Sequence, residues 1–254
     1  MICDGTIGFV GGINLADEYL GSVAHQAPWR DTHCQITGPA VLGLQLAWVE
    51  DWSWATGATP QLNWQLPDPL PGDQEVLILP TGPADTHETC TLFFLNCINN
   101  ARTRLWIASP YFVPDLQVVN ALQLAALRGV DVKILIPQKS DNIFVQLAAY
   151  SYLVQASHAG VGIYRYQPGF MHQKVVLVDD RYAAVGTANL DNRSMRLNFE
   201  ITALNTAPAF VAQVTAMLEQ DLQLCRKMTE TDYSHRSLLF RITCRAIRLL
   251  APVL

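Results

Sequence analysis

One spacing occurs twice in this chain. Asp4, Gly11 and Asn14 stand at the same intervals as Asp179, Gly186 and Asn189, with six residues inside the first interval and two inside the second. An internal repeat of this kind restricts the fold to two related supersecondary units. In the second copy, Val175, Val176, Leu177 and Val178 form a short apolar run that reads as a buried strand. Asp179 to Tyr182 then reads as a turn, and Ala183-Ala184-Val185 as the returning strand. That strand stops at Gly186, where backbone can approach a ligand closely and Thr187, Asn189 and Ser194 can gather. In the first copy, Met1-Ile2-Cys3, a turn at Asp4-Gly5 and the run from Thr6 to Val10 take the same places, ending in Gly11-Gly12-Ile13-Asn14. His172 and Lys174 precede Asp179, two residues apart, and on a strand they point to the same face. An imidazole, a fixed cation and several small hydrogen-bond donors together suit a phosphate diester. The first-copy counterparts of His172 and Lys174 fall before Met1, so the chain is expected to hold only the tail of that copy.

The rest of the chain alternates strand and helix. Trp29 to Ile36 reads as a strand, and Gly38-Pro39 open a helix running to roughly Trp54 with Val41, Leu44, Gln45, Trp48 and Trp52 on one stripe. Residues 57–73 are rich in proline and form the best boundary. This gives a remnant of a first half over 1–57, a linker over 58–73 and a complete second half over 74–254. Strands are expected at 75–80, 104–109, 131–136, 161–166 and 198–204, and helices at 86–101, 115–128, 141–159 and 208–227. Gly129, just after Arg128, suits a helix C-terminus. Such alternation implies a layered α/β fold.

Net charge is −5, which argues against bulk nucleic-acid binding. The six cysteines show no C-x-x-C pair, so free thiols are expected and a disulfide framework is not. No apolar run is long enough to span a bilayer, so the chain is expected to be soluble or peripheral, with a membrane segment possible upstream in a longer parent. From Ser237 to Leu250, Arg241, Arg245 and Arg248 share one helical face. Two readings stand: a helix packed on the domain with a solvated arginine face, which is favoured, or a basic amphipathic helix on an anionic membrane.

The pattern His172-x-Lys174-x4-Asp179-x6-Gly186-x2-Asn189 resembles the HKD motif of the phospholipase D superfamily. The stretches Gly186 to Ser194, Leu197 to Glu200, Ser109 to Pro114, Arg128 to Val132, Gly11 to Asn14, Trp29-Arg30-Asp31 and Ala251 to Leu254 are similar to bacterial cardiolipin synthases in particular. The resemblance implies a phospholipase D-like fold, a layered α/β arrangement with a mixed sheet flanked by helices, in two similar halves that share one site. It implies phosphatidyl transfer from phosphatidylglycerol through a phosphohistidine, with no metal and no cofactor.

On that resemblance His172, Lys174 and Asp179 carry the catalytic motif. Lys174, Asn189, Ser194 and Asn14 would hold the phosphate, and Glu200 resembles the carboxylate that orients a histidine. Asp179, at the strand's end, suits organising the turn better than touching substrate. Ser194 could bond phosphate or cap a turn. His25, His33, His87, His158 and His235 read as core or surface residues, and the acids about His87 as a helix start, not a metal site.

The partners implied are phospholipid, a membrane surface and either the missing N-terminal half or a second chain. The place implied is the cytoplasmic side of the bacterial inner membrane. Alternatives are phospholipid hydrolysis by a phospholipase D-type diesterase, or a catalytically dead remnant that binds membrane or partner.

Overall fold

The strand Val175–Val178 is apolar at every position because both its faces are buried. Val175 and Leu177 join one core cluster, and Val176 and Val178 join another on the opposite face. The computed structural model in which this is seen describes residues 1–20, 27–65, 74–229 and 231–253. His25, residues 66–73 of the proline-rich stretch and Leu254 lie outside the described residues.

The first repeat comprises β1 (Ile2–Cys3), β2 (Ile7–Gly11), β3 (Trp29–Arg30), β4 (His33–Thr37) and α1 (Ala40–Thr56). Next come β5 (Val76–Thr81), α2 (Thr89–Asn100), β6 (Arg104–Ala108), β7 (Phe112–Val113), α3 (Leu116–Leu127), β8 (Asp131–Pro137), α4 (Ile143–Ser157) and β9 (Gly162–Tyr166). The chain continues with β10 (Phe170–Met171), β11 (Val175–Val178), β12 (Tyr182–Gly186), β13 (Leu190–Asp191), α5 (Asn192–Arg196), β14 (Glu200–Asn205), α6 (Pro208–Gln223) and β15 (Cys225–Lys227). Two helices close the chain: α7 (Thr231–Ser234) and α8 (Leu238–Ile247), the latter running into a 3-10 turn over Arg248–Val253.

Local chemistry explains several boundaries. Asp115 caps α3 by accepting from Val118 N–H at 3.0 Å, and Asn142 caps α4 by accepting from Phe144 N–H at 2.9 Å. Gly129 follows α3 with φ +90, the left-handed conformation that ends helices. Two expectations change. The strand expected over Trp29 to Ile36 breaks at Asp31-Thr32, where Asp31 turns toward the second repeat. The last residues of the helix expected over 208–227 instead form β15, whose Cys225, Arg226 and Lys227 pair antiparallel with Tyr166, Arg165 and Tyr164.

Eight strands form one mixed sheet in the order β15-β9-β8-β6-β11-β12-β14-β5. β6, β8 and β9 run parallel, and the remaining neighbours are antiparallel. One face is covered by α2, α3, α4 and α8, whose Phe94, Leu122, Leu153 and Cys244 share a core with Leu105, Ile107 and Ile134. The other face carries α6, with Val211, Val214 and Leu218 at helical spacing against Trp106, Leu135 and Leu177. Each such buried aliphatic side chain contributes about 1.5–3 kcal/mol. All six cysteines are unpaired, and burial pushes the Cys90 and Cys97 thiols up to about 12.

The repeat read from the sequence is a repeat of structure. In β1–β2, Ile2 faces Gly8 and Cys3 faces Ile7; in β11–β12, Leu177 faces Ala183 and Val178 faces Tyr182. Asp4 and Asp179, the two turn aspartates, have φ of 51 and 52, and among the described residues they are the non-glycine residues with positive φ. The third strand also corresponds, since Gly11 pairs with His33 as Gly186 pairs with Thr202. That register makes Asp31 the counterpart of Glu200. The three-stranded sheet β1-β2-β4 and α1 lie against β5 and β14, where Val10, Ile36, Val41 and Leu44 pack with Ala203.

Candidate functional site

The two repeats meet where His172 stands. Trp29 and Arg30 pair in parallel with Phe170 and Met171, and His172 N–H extends this short ladder by donating to Arg30 O at 2.8 Å. Three side-chain links fasten it. The Arg30 guanidinium grips both Asp221 oxygens at 2.8 Å. Thr32 Oγ1 donates to Gln173 Oε1 at 2.6 Å, and Gln173 Nε2 donates to Asp221 at 2.8 Å. The third link is Asp31 Oδ2, 3.0 Å from His172 Nδ1. Gly12 allows this approach, because a Cβ there would lie 2.3 Å from the Asp31 carboxylate and 2.8 Å from His172 O.

The His172 ring packs among Trp29, Tyr19 and Phe170, with centroids 5.1, 5.7 and 5.8 Å away. Lys174 Nζ lies 2.9 Å from each ring nitrogen and 2.5 Å from His172 O. An ammonium only donates, so it needs a ring nitrogen with a free lone pair. Asp31 only accepts, so it takes the Nδ1 proton. The neutral ring is therefore the Nδ1–H tautomer, with Nε2 turned to Lys174.

Lys174 itself is buried, and burial lowers its pKa to about 8, although Asp31, Glu200 and Asp191 work to raise it. His172 and Lys174 thus share a face as the sequence suggests, although residues 172–174 lie between β10 and β11 and not within a strand.

The amides come from both repeats. Asn189 Oδ1 is buried with no hydrogen-bond partner, and Asn14 Nδ2 donates to Tyr19 Oη at 2.8 Å. Asn14, Asn189, Asn198 and His172 line two adjoining clefts. The larger, of about 1020 Å³, also takes in Lys174, Thr187 and Glu200, then continues over Val10, Leu44, Trp54 and Phe199. The smaller, of about 600 Å³, is bounded by Tyr19, Trp29, Tyr111, Asp141, Asp191 and Arg193. Tyr111 Oη donates to Asp141 there at 2.8 Å.

Of the three remaining candidates, Glu200 departs from its expected role, whereas Ser194 and Asp179 take the turn-organising places that the sequence left open or favoured. Glu200 does not touch His172. It accepts from Thr187 Oγ1 at 2.5 Å, Ser194 Oγ at 2.7 Å and Asn198 Nδ2 at 3.1 Å. The carboxylate on His172 is Asp31, its counterpart from the other repeat.

Ser194 is buried with its hydroxyl committed, donating to Glu200 and accepting from Asn189 N–H at 2.9 Å, so it positions those two residues and leaves no proton for a phosphate. Asp179 stands at the far end of β11 from His172. It accepts from the N–H groups of Arg102, Thr103 and Arg104 and from Thr103 Oγ1. Burial works to raise its pKa, but these donors outweigh burial and hold the carboxyl below the usual carboxylate value. It organises the turn and takes no part in the cluster around His172.

An imidazole whose Nδ1 proton is held by a carboxylate keeps a lone pair on Nε2, beside Lys174, that can take a proton or attack an electrophile. With an ammonium and amides beside it, the site accommodates an anionic tetrahedral centre.

The family described as cardiolipin synthase, PLD-like domain, matches residues 94–222. Cardiolipin synthase A of Pseudomonas putida is 51% identical over 256 residues, covering 100% of this chain and 53% of that protein. Cardiolipin synthase A of Pseudomonas fluorescens is 48% identical over 255 residues, with the same coverage of 100% and 53%. The chain therefore spans about half the length of the curated relatives it matches. Among solved structures, phosphatidylserine synthase of Haemophilus influenzae is similar with a TM-score of 0.71 at 15% identity, over 100% of this chain and 70% of that one. Nuc of Salmonella typhimurium, a phospholipase D family member, is similar with a TM-score of 0.54 at 18% identity, over 62% of this chain and 100% of that one.

Proposed function

The chain belongs to the cardiolipin synthase family of phospholipase D-like domains, and from that premise we propose that it supplies half of a phosphatidyl-transfer site. The observation that carries the reading is the His172 ring held between Asp31 at 3.0 Å and Lys174 at 2.9 Å, at the junction of two clefts. The donor in this reading is phosphatidylglycerol.

A histidine nitrogen from the other half attacks phosphorus, the P–O bond to the glycerol headgroup breaks, and protonated His172 gives its Nε2 proton to the departing alkoxide. The hydroxyl of a second lipid then loses its proton to His172 and displaces the phosphohistidine. Lys174, Asn189 and Asn14 hold the non-bridging oxygens as their charge grows. Asp31 supports the imidazolium form of His172.

Among the described residues His172 is the one histidine lining the clefts. The second histidine comes, in this proposal, from an N-terminal half or a separate chain. Glu200, the counterpart of Asp31, would orient that histidine. Residues 1–57 would then close the first half and 74–254 form the second, working at the cytoplasmic face of the bacterial inner membrane. Within the described residues no helix is long and apolar enough to cross a membrane.

The test joins the chain to the upstream half of Pseudomonas putida cardiolipin synthase A and supplies phosphatidylglycerol vesicles. Diphosphatidylglycerol with free glycerol is expected, and His172→Ala should abolish it. Phosphatidic acid in its place would mean hydrolysis, with water as acceptor. No product from a folded protein would overturn both readings.

A further inference from the structure

α8 turns the wrong residues outward for a helix that merely packs. Cys244 is fully buried, and Phe240 and Ile247 are partly buried against the core. On the open side Leu238 is 70% exposed, Leu239 74% and Ile242 54%, and Leu249, just beyond the helix, is 82% exposed. At about 100° per residue, Leu238, Ile242, Ala246 and Leu239 fall on one arc of about 100°, and Arg241 and Arg245 border it on one side. The helix packs on the domain as favoured from the sequence, but its open side is an apolar stripe with an arginine margin, and Arg248 turns back onto Gln155 and Tyr152. A lone exposed leucine means little, whereas a contiguous apolar stripe calls for a partner.

Charge identifies the partner. Six of the chain's 17 lysines and arginines fall within residues 225–254, against two of its 22 acids, although the whole chain carries −5. The acid Asp232 is already engaged by Arg226 at 2.8 Å. A stripe of four apolar side chains falls far short of the roughly 800 Å² per partner that a stable protein interface buries. A basic, short amphipathic helix on an anionic bilayer needs no such area.

We propose that this face of α8 seats the chain on an anionic lipid surface, with Leu238, Leu239 and Ile242 at the acyl boundary and the exposed Arg245 among the phosphates. The turn that follows α8 also touches the element next to the candidate site. Asn192, at the start of α5, donates through Nδ2 to Ala251 O and to Val113 O, each at 2.9 Å. The 3-10 turn that follows α8 is thereby tied to the start of α5, the element that carries Ser194. The inference stands apart from the transfer reading, since its test reads binding and not turnover.

The test is co-sedimentation of the chain with phosphatidylcholine vesicles and with phosphatidylcholine–phosphatidylserine vesicles. Binding is expected to the mixed vesicles only and to weaken with salt. Arg245→Gln should weaken it about fivefold. The double variant Leu239→Ser, Ile242→Ser should weaken it at least tenfold with an unchanged circular dichroism spectrum. His172→Ala should leave it intact, which separates this surface from the substrate site. If the double variant fails to fold, Arg245→Gln and the salt series carry the decision. Absence of binding to mixed vesicles, binding that none of the α8 substitutions weakens, or a dimer in gel filtration that the double variant dissolves would overturn the proposal.

Discussion

Asp31 and His172 are 141 positions apart in the chain and 3.0 Å apart in space. Exchanging Asp31 for asparagine keeps the shape but replaces an acceptor with a group that can donate to Nδ1. His172 is then expected to move its proton to Nε2, which nitrogen-15 NMR of the imidazole reads directly in this chain. In the completed site, turnover should fall on the order of 10³–10⁴-fold, by analogy with the serine protease triad when its aspartate is so changed. Lys174 gives a second residue-level expectation. Its pKa of about 8 means that the proposed phosphate-holding charge is lost as pH rises through 8, and transfer should decline there. Stability moves the other way. Between about pH 8 and 10.5 the unfolded chain keeps this proton and the folded chain does not, so stability gains up to about 3 kcal/mol across that window. Denaturation of Lys174→Met compared with the unsubstituted chain at pH 7.5 and 10 checks it: only the latter should show the Lys174-dependent rise.

Among the elements, the two-residue ladder of β3 with β10 depends on α6 for support. Asp221→Ala strips the partner from Arg30 and from Gln173 Nε2 in a largely buried place, and is expected to cost about 3–5 kcal/mol in chemical denaturation. The two turn aspartates offer a paired comparison. Asp4 is exposed, so Asp4→Gly should be neutral or stabilise by up to about 1 kcal/mol by relieving its positive φ. Asp179→Gly relieves the same strain but orphans four donors, and should cost about 3 kcal/mol. Most elements were legible in the sequence, because Asp115, Asn142 and Gly129 mark helix ends by their own chemistry. β15 was not legible. Its three residues continue a helical pattern, and only the open edge of β9 draws them into a strand.

Across the whole molecule, the repeat was readable as far as Asn14 and Asn189 and then lost. Sixteen residues lie between Asn14 and Asp31, whereas ten lie between Asn189 and Glu200, so no fixed interval carries the correspondence forward. The ladders restore it: β4 pairs with β2 as β14 does with β12, and Asp31 emerges as the residue on His172. The commitment of Ser194 to Glu200 and Asn189 was hidden for a similar reason, since a hydroxyl's partners depend on how the chain folds back and not on local pattern. His172 and Lys174 were legible because their spacing alone puts them together.

The carboxylate that crosses from one repeat to the other has a consequence for descent. A histidine served by its own repeat could be inherited, moved or lost as a unit with everything it needs. Here the ring and its partner belong to different copies, so a drifting change in either copy damages the other. A duplication wired in this way cannot readily be undone, because deleting one copy removes the support from the histidine that remains.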